Sequence, residues 1–207
     1  MSLLDVALVT LPEAKRFLGI EADVDTNDDI LEMFIDGITG DFEGEARRKL
    51  KLQTISSYAL DGKGTDWIRL PYWPISTVSS IVIKNHDGTT LRTLTNDTSP
   101  AELSGAEFTV GALDGTLRLY SGAFPCGVNN VLVTWNAGFA SDSPVMKRLR
   151  LLCLIQLQSE YRQWEKSDFG VASRQFQDGG ITFERSTDGL LPRIVRALEW
   201  FQPKRAG

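Results

Sequence analysis

The hydrophobic period of this chain changes twice. Between residues 10 and 49 apolar side chains recur every three to four positions, between 54 and 135 every second position, and from 143 to 201 the helical spacing returns. Such a pattern does not fit a single layer of one kind. The terminal helices need each other to cover their apolar stripes, and alternating strands need an apolar face to pack against. The fold class read from this is α+β: a small helical bundle, 1–53 with 140–207, carrying an inserted antiparallel β barrel or sandwich at 54–139. The 207 residues, 42% of them apolar, are enough to build a real core.

The longest helical run opens at Ser143, an N-cap residue, with Pro144 at the first helical position, where a missing N–H costs nothing. Val145, Met146, Leu149, Leu152, Cys153, Leu157, Tyr161 and Trp164 follow at helical spacing, and 151–155 contains no polar residue, so this helix is expected to be buried all round. Lys147, Arg148 and Arg150 at one end, with Glu160, Arg162 and Glu165 at the other, rule it out as a membrane span, which needs roughly 20 apolar residues. Upstream, Thr10-Leu11-Pro12-Glu13 reads as a capping box for a short helix that stops at Gly19. A second helix is predicted over about 28–49, with Ile30, Leu31, Phe34, Ile35, Ile38, Phe42 and Ala46 on one face. Gly37, Gly40 and Gly44 lie on another. Each interior glycine costs roughly 0.5–1 kcal/mol relative to Ala, so a second backbone is expected close by, from a packed helix or a neighbouring subunit. A last helix, about 190–201, presents Leu191, Ile194, Val195, Leu198 and Phe201, and Pro203 ends it ahead of a basic tail.

Strands are predicted at 54–60, 66–70, 77–84, 90–94, 108–110, 116–120 and 130–135, punctuated by Asp61-Gly62, Asp87-Gly88 and Asp114-Gly115 turns. Residues 96–106, rich in Thr, Ser, Pro and Asn, read as an exposed loop. Residues 166–188 carry isolated Phe169, Phe176 and Phe183 among Gly, Ser and Asp, the composition of an extended arm or hairpin that orders against a partner.

Little in the chain recommends catalysis. His86, the single histidine, sits in Asn85-His86-Asp87-Gly88, a hairpin-turn sequence, whereas a catalytic base belongs beside a nucleophile in a pocket. Gly62-Lys63-Gly64-Thr65 lacks the spacing of a phosphate loop. The segment 23–29 alternates oxygens like a calcium loop, yet its sixth position is Asp28 instead of Gly and its twelfth Phe34 instead of Glu. Side-chain capping of the second helix explains it as well. Cys126 and Cys153 with one histidine do not make a zinc site without carboxylates, nor a disulfide scaffold, and a reducing compartment is expected. The N-terminus shows no secretion signal. No cofactor or metal is predicted, and no enzyme. With a net charge of −5 and a pI near 5.0, the chain does not read as one that wraps nucleic acid in basic surface.

Four stretches in order carry a family resemblance. They are Leu8-Val9-Thr10-Leu11-Pro12-Glu13-Ala14-Lys15-Arg16-Phe17-Leu18 with Asn27-Asp28-Asp29-Ile30-Leu31; Leu70-Pro71-Tyr72-Trp73-Pro74-Ile75 leading to Val78-Ser79-Ser80-Ile81; Val133-Thr134-Trp135-Asn136-Ala137-Gly138-Phe139; and Leu191-Pro192-Arg193-Ile194-Val195-Arg196-Ala197-Leu198 running to Pro203-Lys204-Arg205. Their order resembles the head-tail connector, or adaptor, proteins of long-tailed double-stranded DNA bacteriophages and prophages. Gly19 departs from the charged residue often found there.

The resemblance implies a structural virion protein of the neck, assembled in the host cytoplasm, forming a ring commonly of about twelve copies. Such a ring joins the portal protein to a head-completion, stopper or tail-terminator protein and lines the exit channel, close to double-stranded DNA without specific binding. No membrane is involved. On this reading Trp200, Phe201, Gln202, Pro203, Lys204 and Arg205 dock into the portal, while Gly37, Gly40, Gly44, Phe169, Phe176 and Phe183 meet neighbouring subunits. Acidic residues of the second helix, Asp36, Glu43 and Glu45, are expected at the surface, where they would repel the duplex. The alternative is a β-sandwich binding module for carbohydrate or protein with helical flanks, which would use exposed Trp67, Tyr72 and Trp73.

Overall fold

The computed structural model describes residues 5–85, 87–95, 107–166, 173–174, 183–184 and 189–202. It divides into two compact units, 1–47 with 144–207, and 48–143. The first holds α1 (Leu11–Leu18), α2 (Asp28–Ala46), α3 (Pro144–Glu165), the paired strands β8 (Ser173–Arg174) and β9 (Phe183–Glu184), and α4 (Pro192–Glu199). The second holds β1 (Gln53–Gly62), β2 (Trp67–Arg69), β3 (Ile75–Lys84), β4 (Thr90–Thr95), β5 (Phe108–Val110), β6 (Thr116–Leu119) and β7 (Gly127–Ala137). The class is α+β, as the change of period requires.

In the helical unit, α1 begins at the expected capping box. The Glu13 N–H donates to Thr10 Oγ1 and the Thr10 N–H to Glu13 Oε2 (2.9 Å), and Gly19 closes the helix in the left-handed region. The α2 helix ends at Ala46, short of residue 49, because Arg47 takes φ 53° and turns its N–H back onto the carbonyls of Glu43 and Gly44. Leu31, Ile35, Ile38 and Phe42 of α2 are buried, as are Met146, Leu149, Cys153 and Leu157 of α3 and Ile194 and Leu198 of α4. The α2 helix packs on α1, α3 and α4, and α3 also on α1.

The α3 helix is not buried all round. Leu151 is 51% exposed and Leu152, Leu154 and Ile155 are half-buried, so only the stripe through Met146, Leu149, Cys153, Gln156, Leu157 and Tyr161 faces the core. The apolar run 151–155 is longer than the face this unit can cover. Gln156 sits inside that stripe with 2% exposure, its Oε1 accepting the Leu191 N–H at 3.0 Å and its Nε2 donating to the Gly189 carbonyl and to Glu160. One buried amide thereby fixes the start of α4.

In the β unit, the four-stranded sheet runs β1-β7-β3-β4 and the three-stranded sheet β2-β6-β5, with antiparallel neighbours throughout. Side chains from both sheets meet in one core: Ile81, Val131, Val133 and Trp135 from the larger, Ile68, Phe108, Leu117 and Leu119 from the smaller. Two sheets sharing a core in this way are sandwich-like. Neither closes on itself among the described residues, so the barrel alternative falls away.

Trp135 is fully buried and its indole N–H donates to the Tyr72 carbonyl at 3.1 Å, the satisfied polar tip that a buried tryptophan needs. Gly138 is obligatory at the end of β7: its φ is 113°, and a Cβ there would run into the Lys51 backbone, where the Phe139 carbonyl accepts the Leu52 N–H. The predicted turn at Asp87-Gly88 forms, with the Asn85 N–H on the Thr89 carbonyl at 2.8 Å and Gly88 at φ 85°. His86 itself lies outside the described residues, as does the predicted loop 96–106.

Candidate functional site

Exposed surfaces distinguish the described residues of this chain. Gly37, Gly40 and Gly44 are exposed along α2, and a Cβ built on any of them meets nothing within 4 Å. Among the described residues no helix of this chain packs on that face: α1, α3 and α4 use the opposite face of α2, where Ile35, Ile38 and Phe42 supply more apolar area to bury. Met33, at the same helical phase as Gly37, Gly40 and Gly44, is 59% exposed and extends the uncovered face by another turn.

At the end of α4, Trp200 is 87% exposed, Phe201 is half-buried, and Gln202 Nε2 donates to the Glu45 carbonyl (3.0 Å) and to Glu45 Oε1 (2.9 Å). These residues split into two roles. Gln202 ties the chain to the end of α2, and Trp200 is left displayed. Pro203, Lys204 and Arg205 lie outside the described residues. So do Phe169 and Phe176, and of Phe183 only the backbone is described, paired with Arg174 in the β8–β9 ladder. That ladder accords with a hairpin within the predicted arm.

Asp36, Glu43 and Glu45 are half-buried, none of them in the core, and Asp41 is the exposed carboxylate in that stretch. Glu160 on α3 is held above the usual carboxylate range, chiefly by burial, with Gln156 opposing the shift and Asp41 adding to it. Burial pushes the Cys153 thiol up to about 12, whereas Cys126 is exposed. Cys153 is thereby an inert thiol in a core.

The acidic segment before α2 turns out to be organised by a cation from the chain itself. Lys15, 6% exposed, extends its ammonium to the Val24 carbonyl (2.9 Å), the Ala22 carbonyl (3.5 Å) and the Asp28 carboxylate (2.7 Å to Oδ1). No cluster of three or more His, Cys, Asp or Glu side chains suited to a metal occurs among the described residues. The buried position of Lys15 gave no signal in the sequence, where it reads as one more charge on a short helix.

Of the three aromatics expected at the surface of the β unit, Trp73 is buried (8% exposed), with the guanidinium carbons of Arg48 and Arg69 lying 4.9 and 5.2 Å from its ring centroid. Tyr72 is half-buried beside Tyr58. Only Trp67, at 45%, remains open. A row of aromatics for stacking a sugar is not formed. Trp73 went inward because the peptide on its C-terminal side enters β3, which belongs to the core sheet.

No family model matches the chain, and no curated protein does. Solved structures do. A chain in "Neck of empty GTA particle computed with C6 symmetry" is similar with a TM-score of 0.57 at 16% identity, over 100% of this chain and 95% of that one. The fold is shared with a particle-neck chain. A chain in "Virion of native gene transfer agent (GTA) particle" gives a TM-score of 0.56 at 16% identity and the same coverage. One in "Neck of native GTA particle computed with C12 symmetry" gives 0.51 at 17%, over 100% of this chain and 97% of that one. No helix among the described residues is long and apolar enough to cross a membrane.

Proposed function

We propose that this chain is a structural protein of a phage-like neck: a head-tail connector that assembles as a ring of about twelve copies between the portal and the next head-completion or tail protein. The observation that carries the reading is the full-length likeness to gene transfer agent neck chains, which takes in helical and β segments together instead of one common motif. The displayed Trp200 and the bare glycine face of α2 support it, since both are surfaces a lone molecule gains nothing by exposing. A net charge of −5 suits a channel wall that must let DNA slide. The ring role assigns Trp200 and Phe201, with the basic tail at Lys204 and Arg205, to the portal, and Gly37, Gly40 and Gly44, with the arm at 166–188, to neighbouring copies.

Electron microscopy of the purified chain mixed with portal rings tests this. A ring of extra density on the portal is expected, lost when the chain is truncated after Gln202 while the melting temperature holds, because the bonds from Gln202 to Glu45 are kept. Portals that stay bare with the full-length chain, or tight salt-sensitive binding to duplex DNA, would overturn the reading.

A further inference from the structure

The β unit carries a pocket of about 300 Å³ beside the β1–β2 turn, lined by the apolar side chains of Leu60, Trp67 and Ile68 and by the cations Lys63 and Arg69. Its acidic member, Asp61, is already engaged, accepting the Asn129 N–H at 2.8 Å. Lys63 is exposed and makes no ion pair among the described residues, while Arg69 donates to the Asp114 carbonyl at 3.1 Å and lies beside the Trp73 ring, 5.2 Å from its centroid. The lining therefore carries net positive charge beside apolar side chains. The helical unit presents the converse. In Asp23-Val24-Asp25, Val24 is 43% exposed between two exposed carboxylates. This loop is held in shape from beneath, since buried Lys15 grips the carbonyls of Ala22 and Val24 and the side chain of Asp28. A loop fixed in this way gives up little conformational entropy on binding.

We infer that Val24 of one copy seats in the Trp67 pocket of the next, with Asp23 and Asp25 meeting Lys63 and Arg69. The occupant is a second copy of this chain, chosen by complementarity of charge: one small branched apolar side chain between two anions, opposite a partly apolar pocket whose lining carries two cations. The contact is heterologous, loop to pocket, and a heterologous contact repeated by rotation closes a ring. The inference rests on the ring reading and gives it a specific joint.

The test is disulfide trapping in the full-length chain with Val24→Cys and Thr65→Cys, Thr65 being a pocket residue, and with Cys126→Ser to remove the exposed native thiol. Mild oxidation of concentrated protein is expected to give a ladder at multiples of 23.0 kDa. Adding Lys63→Glu and Arg69→Glu should cut the ladder about tenfold through like-charge repulsion, and further adding Asp23→Lys and Asp25→Lys should restore it. Circular dichroism checks that each variant is folded. A ladder that ignores charge reversal, a monomer closed on itself, or no ladder overturns the inference. Sedimentation and microscopy of the unmodified chain separate the two levels: rings without the trapped contact remove this joint alone, whereas no rings and no ladder remove the ring as well.

Discussion

Replacing Gln156 with Met keeps the volume of an unbranched buried side chain and deletes all three of its hydrogen bonds. The bond to the Gly189 carbonyl is long, 3.3 Å, and Gly189 is exposed, so water replaces it at little cost. The Leu191 N–H is different. It belongs to the N-cap of α4, a position with no side-chain cap, and losing its partner in a half-buried setting costs about 1 kcal/mol or somewhat more. The Glu160 carboxylate loses a donor at 2.8 Å, and a bond to a charged group contributes about 1.5–3 kcal/mol, discounted here because Glu160 is partly hydrated. The total comes to about 2–3 kcal/mol. It should also depend on pH. The folded pKa of Glu160 is raised, so stability is present below the unfolded carboxyl value near 4.3 and is lost as pH rises through the folded one. Without Gln156 that folded pKa moves further up, and the variant loses least in mild acid, where Glu160 is protonated, and most at neutral pH. Urea unfolding of both proteins at the two pH values, with unchanged m-values, measures the difference. A penalty below about 0.5 kcal/mol at neutral pH, or one equal at both pH values, would falsify the assignment of Gln156 as the clamp of α4.

Three further outcomes are expected. Thr10→Ala should cost about 1 kcal/mol through the capping box; although burial works the other way, the bonds from Thr10 and the charge of Arg150 leave the Glu13 pKa lowered, so the box should weaken as pH falls through that value, a trend that acid melts of wild type and variant would show or exclude. Gly138→Ala should destabilise by about 2–4 kcal/mol because its Cβ strikes the Lys51 backbone, while Gly40→Ala should stabilise the isolated chain by about 0.5–1 kcal/mol; equal effects in thermal melts would contradict the geometry of both sites. A thiol reagent should titrate Cys126 in the folded chain and Cys153 only on unfolding, and wild-type stability should fall by about 1.4 kcal/mol per pH unit more than that of Cys153→Ala between the unfolded thiol pKa and about 12; rapid labelling of Cys153 in the native state would refute this.

Periodicity and turn chemistry located the elements. Although Asp61-Gly62, read as a turn, instead ends strand β1, where Gly62 pairs with Gly127, all seven strands predicted across 54–135 are present, because alternation is recorded within a few neighbouring residues. The same holds for Thr10-Leu11-Pro12-Glu13, whose bonds all close within one helical turn. Where an outcome depended on which neighbour arrives, local pattern failed. The apolar run 151–155 predicts a buried cylinder, but only its Cys153 side meets a partner. Trp73 and Trp67 look alike in sequence, yet one fills the core and the other lines an open pocket. Gly37, Gly40 and Gly44 announce a close approach that the described residues of this chain do not make.

Composition and order by themselves determined an acidic α+β chain with a β segment between helices. Tertiary structure alone decided that Lys15 turns an acidic stretch into a fixed loop, that Gln156 holds the start of α4, and that Trp200 stands exposed. The physical reason is common to all three. A charge, an amide or an indole has no preferred burial in one dimension; its state is set by the donors, acceptors and apolar surface that folding brings to it from residues distant in the chain.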